Sequence, residues 1–261
     1  MNFSLNNIPN RTQKPRGKGL TMIMDKGLST RQVEDMLEAS GSYIDVVKLG
    51  FGTSFVSNNL EDKLKVYKDN GIGVYFGGTL FEAFIARNQF EDYKRLVDKY
   101  QLDYVEVSDG CMDMDHNDKC RYISELAKQA TVFSEVGSKD ASVEIPAHKW
   151  VEMMEKELNA GSWRLIAEAR EGGNVGIFDG GGEIKGDLIE EIITKVPGEK
   201  ILWEAPQKSQ QIWFIKLLGP NVNLGNIAPA EVIPLETLRL GLRGDTFNEF
   251  LNIDEAELAK L

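Results

Sequence analysis

Four glutamates, two lysines and an arginine carry the first chemical clue, because each stands at or just past the end of a short apolar run. Lys48 falls in the run 44–50, Glu106 in 104–110, Glu135 in 132–137, and Glu204 in 201–206; Glu168 and Arg170 share a face near the end of 163–170. Lys139 follows the fifth run directly. Ionised side chains are rarely buried without a partner or a metal. Such a layer is either a structural ion-pair network or a site, and its concentration at one end of successive runs favours a site. Carboxylate oxygens suit a hard divalent cation. Mg²⁺ uses one or two carboxylates with water and substrate, so part of the set Glu106, Glu135, Glu168 and Glu204 is expected to bind metal and part to orient cations. Lys139 is the candidate acid or base, provided that burial or neighbouring cations lower its pKa.

The elements that must position these groups follow from the same runs. Eight apolar segments, at 20–25, 44–50, 72–78, 104–110, 132–137, 163–170, 201–206 and 222–227, alternate with helix-like stretches. That rhythm over one domain's length predicts an α/β fold, a single (β/α)8 TIM-type barrel. Side chains alternate across a strand, so Val105 and Val107 are assigned to the helix layer, with Glu106 and Ser108 pointing inward. Helices are expected at 30–40, 59–70, 80–99, 118–129, 147–160, 187–195, 207–218 and 235–244. Residues 1–261 form one domain in this reading, with 1–18 an irregular leader and 252–261 an acidic tail. A glycine-rich stretch, 171–183, follows the sixth run and could hinge as a lid.

The eighth run supplies a phosphate argument. Asn221, Asn223, Gly225 and Asn226 place amide side chains and a glycine at its exit, where barrels often hold a phosphate on backbone N–H groups. Arg243 could add a forked cation.

Composition excludes several classes. The net charge of −11 argues against nucleic-acid binding, which needs a basic face. No apolar stretch reaches the roughly 20 residues that span a bilayer, and no secretory signal is visible, so a cytoplasmic protein with Cys111 and Cys120 as reduced thiols is expected. The acidic string at 113–118 fails as a calcium loop, since Asp118 stands where glycine is required and Ser124 where glutamate is required. Gly50-Phe-Gly-Thr-Ser-Phe lacks the third glycine of a dinucleotide fingerprint. His116 and His148 are too isolated for a triad.

Together the strings resemble the phosphosulfolactate synthase family. They are Lys14-Pro-Arg-Gly…Gly19-Leu-Thr, Asp45-Val-Val-Lys-Leu-Gly-Phe-Gly-Thr-Ser, Gly77-Gly-Thr-Leu-Phe-Glu, Glu106-Val-Ser-Asp-Gly, Ser134-Glu-Val-Gly-Ser-Lys, Glu168-Ala-Arg-Glu, Glu204-Ala-Pro-Gln-Lys-Ser-Gln-Gln, Asn221-Val-Asn-Leu-Gly-Asn-Ile and Gly241-Leu-Arg-Gly-Asp-Thr-Phe. They fall in order over roughly residues 14–250. The resemblance implies a carbon–sulfur lyase working as a synthase, which adds sulfite to phosphoenolpyruvate with Mg²⁺ to give 2-phospho-3-sulfolactate. It links archaeal members to coenzyme M, bacterial ones to sulfolactate, and extends to a plant heat-stress-associated branch. It implies Lys139 as the group that protonates C2. Arg170, Lys48 and Arg243 would hold the anions and the Asn223–Gly225–Asn226 turn the phosphate. The resemblance also implies a homo-oligomer; it does not fix the metal ligands, which the inward-facing carboxylates place near Glu135 and Glu168, where Mg²⁺ would stabilise enolate charge. Two rivals stay open: a related barrel enzyme on another enolate-forming phosphorylated substrate, and a non-catalytic stress-associated barrel.

Overall fold

The computed structural model describes residues 2–138, 144–170 and 172–251. Eight parallel strands form one sheet in the order β3-β2-β1-β8-β7-β6-β5-β4, a nearly closed barrel ringed by helices. The strands are β1 (Thr21–Asp25), β2 (Val46–Leu49), β3 (Gly73–Phe76), β4 (Tyr104–Val107), β5 (Thr131–Val136), β6 (Arg164–Ala167), β7 (Ile201–Glu204) and β8 (Leu224–Ile227). The helices are α1 (Thr30–Ser40), α2 (Thr53–Val56), α3 (Leu60–Asp69), α4 (Gly78–Ile85), α5 (Phe90–Lys99), α6 (His116–Leu126), α7 (Ala147–Ala160), α8 (Gly186–Lys195), α9 (Lys208–Leu218) and α10 (Val232–Arg239). None of the described helices is long and apolar enough to cross a membrane.

Alternation along the strands builds two cores. Val47, Leu49, Val105, Val107, Leu165 and Trp203 face outward and join the layer between sheet and helices. Met22, Val46, Tyr75, Phe133, Ile166 and Leu202 fill the barrel interior. Two residues further along four of these strands or their ends, the inward position changes from apolar to charged. Val46 is followed by Lys48, Phe133 by Glu135, Ile166 by Glu168 and Leu202 by Glu204. The apolar plug thus forms the floor of a polar chamber at the C-terminal strand ends, where such barrels carry their chemistry.

Three element expectations need correction. The stretch 80–99 is two helices, because Asn88 adopts φ 57° and the chain turns between α4 and α5. The last helix begins at Val232, three residues early, and stops before Gly241 at φ 71°. The glycine-rich loop is not a free hinge. Val175, Ile177 and Phe178 are buried, and Gln207 and Gln210 donate to the carbonyls of Gly172 and Gly173. Gly176 is required there: its φ is +63°, and any Cβ would collide with the Glu168 carbonyl.

The barrel floor also claims Asn223. Its Oδ1 accepts the Leu20 N–H at 3.1 Å, and its Nδ2 donates to the carbonyls of Ile201 (2.9 Å) and Glu199 (3.2 Å). It lies at the N-terminal end of the strands, locking β1, β7 and β8 together, and is removed from any phosphate at the mouth. Asn223→Ala should therefore cost about 1–3 kcal/mol of stability by orphaning buried backbone groups, with KM for a phosphorylated substrate unchanged. Paired melting and steady-state measurements check this; a raised KM at an unchanged melting temperature would return Asn223 to the site.

Candidate active site

Lys48 stands at the centre of the chamber. Its Nζ lies 3.1 Å from Glu106 Oε2, 3.2 Å from Glu204 Oε1 and 3.5 Å from Glu135 Oε2, and all four side chains are at least nine-tenths buried. Burial alone would push the ammonium's pKa down. The surrounding carboxylates of Glu106, Glu204 and Glu135 outweigh it and hold Lys48 charged, well above the usual lysine range.

The four glutamates divide by what else they touch. Glu106 Oε1 accepts the Gly78 N–H at 2.6 Å, joining the start of α4 to β4 at the seam where the β3 and β4 edges meet without a ladder. Gly78 must be glycine, since a Cβ would lie 2.6 Å from Glu106 Oε1 and overlap Ser108. By contrast, Glu135, Glu168 and Glu204 each bring one carboxylate oxygen within 4.8 Å of the other two. Glu204 Oε2 also accepts the Ala169 N–H at 2.9 Å, and Glu168 Oε1 accepts the Arg170 N–H. Glu106, also expected as a metal ligand, lines the same chamber, but its carboxylate is engaged with the Gly78 N–H and Lys48 and lies outside that converging trio.

Above the trio opens a cavity of about 350 Å³, lined by all four glutamates, Lys48, Arg170 and Asn226 among others. An adjoining cavity of about 430 Å³ shares Met24 and Asn226 and carries Lys26. A larger one, about 690 Å³, lies outside the barrel at the starts of α7 and α8 and holds none of the glutamates. Three cavity-lining residues have left-handed backbones without being glycine: Phe51 (φ 34°), Arg170 (φ 55°) and Asn226 (φ 56°). Such strain persists only where surrounding structure enforces it, and it clusters at functional sites. For Asn226 the enforcing feature is a bulge. Thr21 pairs with Leu224 but Ile23 with Ile227, so β8 holds one residue more than β1 over this stretch. The bulge turns Asn226 toward the mouth, where its Nδ2 reaches the Arg170 carbonyl at 3.4 Å and its Oδ1 is buried without a hydrogen-bond partner among the described residues.

Three converging carboxylate oxygens fit a hard divalent cation.

The comparisons with known proteins give the family. The family model for (2R)-phospho-3-sulfolactate synthase matches residues 9–245. The chain belongs to the phosphosulfolactate synthase family. It is 38% identical over 248 residues to the phosphosulfolactate synthase of Bacillus subtilis (strain 168), covering 94% of this chain and 98% of that protein. It is 41% identical over 238 residues to the phosphosulfolactate synthase of Methanocaldococcus jannaschii, covering 89% and 95%. Among solved structures, 3-hexulose-6-phosphate synthase from Salmonella typhimurium shares the fold, with a TM-score of 0.55 at 14% identity over 86% of this chain and all of that one.

Within this phosphosulfolactate synthase family member, the residues expected at the site have separate fates. Lys48, Glu135, Glu168, Glu204, Arg170 and Asn226 share one mouth. Lys139 lies outside the described residues. Gly225 sits against the interior plug: a Cβ there would meet Leu202 Cδ2 at 2.5 Å and Met22 Cε at 2.8 Å, so the residue is small to fit that packing. Arg243 lines neither mouth cavity. It follows α10 in a segment that folds back on that helix, where Leu242 N–H bonds the Thr237 carbonyl and Asp245 pairs with Lys208 at 2.6 Å. Asp25, at the end of the first run, faces the helix layer and holds Lys63 and Tyr67 of α3, each at 3.0 Å. Cys111 and Cys120 are both free thiols, and Cys111 lines the mouth.

Sequence reasoning missed Glu82. It is buried on α4, accepts the Ser108 hydroxyl, and takes the Cys111 N–H at 2.5 Å, fixing the β4–α6 loop over the cavity. A signal was present, since Glu82 is the only charged residue in the apolar helix Gly78–Ile85.

Proposed function

We propose that this chain catalyses the Mg²⁺-dependent addition of sulfite to phosphoenolpyruvate, giving 2-phospho-3-sulfolactate, a carbon–sulfur lyase acting in the synthetic direction. The observation that carries the reading is the convergence of Glu135, Glu168 and Glu204 within 4.8 Å in a buried chamber. Both substrates are anions, and a cation held by the three carboxylates would give them an attractive centre, with Arg170 lining the same cavity.

The chemistry balances simply. The sulfite sulfur donates its lone pair to C3 of phosphoenolpyruvate, the C2–C3 π pair moves toward the carboxylate as an enolate, and a proton is delivered to C2. Mg²⁺, when bound, supplies charge stabilisation for that enolate. Glu135, Glu168 and Glu204 are the residues that would hold it. Lys48 holds two of the trio, Glu135 and Glu204, as a cation, because the carboxylates of Glu106, Glu204 and Glu135 keep it protonated. Arg170, exposed at the rim with no ion pair among the described residues, is placed to clamp an anion. The proton donor assigned by the family motif is Lys139.

Incubation of the purified protein with phosphoenolpyruvate, with and without sulfite, Mg²⁺ and chelator, tests the reading. Phosphoenolpyruvate should disappear only when sulfite and the metal are both present, and chelator should abolish the loss. Consumption without sulfite would sink the nucleophile assignment; consumption in excess chelator would sink the metal assignment.

A further inference from the structure

Behind the mouth, α6 and α7 enclose a second charged cluster that the chemistry above does not use. Lys119 is 2% exposed and Glu157 is fully buried. The Lys119 ammonium donates to Asp109 Oδ1 at 2.9 Å and to the main-chain carbonyl of Glu135 at 2.6 Å, and it pairs with Glu157 Oε1 at 2.9 Å. The carbonyl contact has a topological cause. β4 ends at Val107, opposite Ser134, while β5 runs on through Glu135 to Val136. Thr131 N–H bonds Asp103 on the β4 side, whereas the Val132 and Val136 carbonyls accept from the β6 side. Backbone groups two residues apart face the same way, so the Glu135 carbonyl faces the edge where β4 has stopped. A buried carbonyl there needs a donor, and Lys119 is that donor.

We propose that Lys119 is a positioning residue for the candidate metal centre, holding the Glu135 main chain at the open edge of β5 and thereby setting where its carboxylate sits in the mouth. Glu157 supplies the counter-charge that allows an ammonium to be buried there. Asp109 ties the same ammonium to the β4–α6 loop, which carries the cavity-lining Cys111. One side chain from α6 thus joins the loop, the strand end and α7. The proposal rests on the metal reading above, and partners of this kind behind a ligand commonly govern affinity by about 10- to 100-fold.

Lys119→Met alone would leave Glu157 buried without its ammonium, and that variant is not expected to fold. The informative variant is Lys119→Met with Glu157→Met, because replacing a buried ion pair by apolar side chains is often neutral for stability. Mn²⁺ binding to the full-length protein, followed by its paramagnetic signal, should weaken by about 10- to 100-fold, while the melting temperature of the metal-free protein stays close to wild type. Amide exchange in the peptide 132–138 should accelerate about tenfold or more, with peptides from β2 and β7 unchanged. Wild-type Mn²⁺ affinity in the double variant, or exchange at 132–138 no faster than in β2 and β7, overturns the proposal. If the wild-type protein itself binds no Mn²⁺, the metal reading fails and the exchange comparison alone decides whether Lys119 holds the strand end.

Discussion

Glu168→Gln is expected to lower kcat/KM for sulfite-dependent consumption of phosphoenolpyruvate by about 10³-fold, equivalent to about 4 kcal/mol of transition-state stabilisation. Glu168 lies just past β6, in the converging trio with Glu135 and Glu204, and its Oε1 accepts the Arg170 N–H. The amide keeps the size of the side chain and can still accept that hydrogen bond through its oxygen. It removes one of three converging negative charges, so both metal affinity and electrostatic stabilisation of the developing enolate should fall. Raising Mg²⁺ should restore only part of the rate, because the weaker site can be filled but the lost charge cannot be replaced. Steady-state rates across a Mg²⁺ titration provide the check. A variant with native kcat at saturating Mg²⁺ would mean that Glu168 is a structural carboxylate and the metal is held elsewhere.

The largest stability effect is expected for Lys48→Met. The substitution keeps an aliphatic stem but leaves Glu106, Glu135 and Glu204 facing one another in a buried chamber, each formerly within 3.5 Å of the ammonium. Removing one partner from a buried charged set costs about 3–5 kcal/mol, which for a domain of this size is a fall of about 10 °C in Tm. The pH dependence has a definite sign. Lys48 has a pKa raised above its unfolded value. Its contribution is therefore fully present below the ordinary lysine range and fades only as pH climbs toward the raised folded value. Wild-type melting should show no loss from this group through neutral and mildly alkaline pH. The variant should regain stability with Mg²⁺, up to about 2.7 kcal/mol at 100 times the dissociation constant, because a divalent cation replaces part of the missing charge. Thermal melts with and without Mg²⁺ measure both effects, and an unchanged Tm in the variant would show that the chamber does not depend on its ammonium.

The repeating runs and their period-two alternation made the barrel legible, since a parallel strand buried on both faces writes itself as a short apolar string. The charged residues breaking those strings at Lys48, Glu106, Glu135, Glu168 and Glu204 marked the mouth for the same reason: an ionised group in an apolar strand has few stable places to stand. Family resemblance in ordered motifs added the chemical class. The N-terminal segment shows where pattern reading stops. Arg11 pairs with Glu236 at 2.9 Å and Arg16 with Asp45 at 2.8 Å, so the irregular leader is fastened to the barrel base by partners as far as 225 positions away in sequence.

Strand periodicity is local and follows from backbone geometry, so the order of residues alone marks which side chains line the barrel and at which end they gather. Their roles within that gathering come from the assembled fold. Asn223 and Gly225, read as part of a phosphate turn, lie three positions and one position before Asn226, yet Asn223 locks the floor, Gly225 makes room for Leu202 and Met22, and Asn226 alone of the three lines the mouth. A bulge in β8 makes that separation, and a bulge arises from how two strands register against each other. Glu106 stands apart from the other three glutamates for the same kind of reason: across the gap between β3 and β4 its carboxylate receives the Gly78 N–H. Register and closure are properties of the assembled sheet, and no local window of sequence contains them.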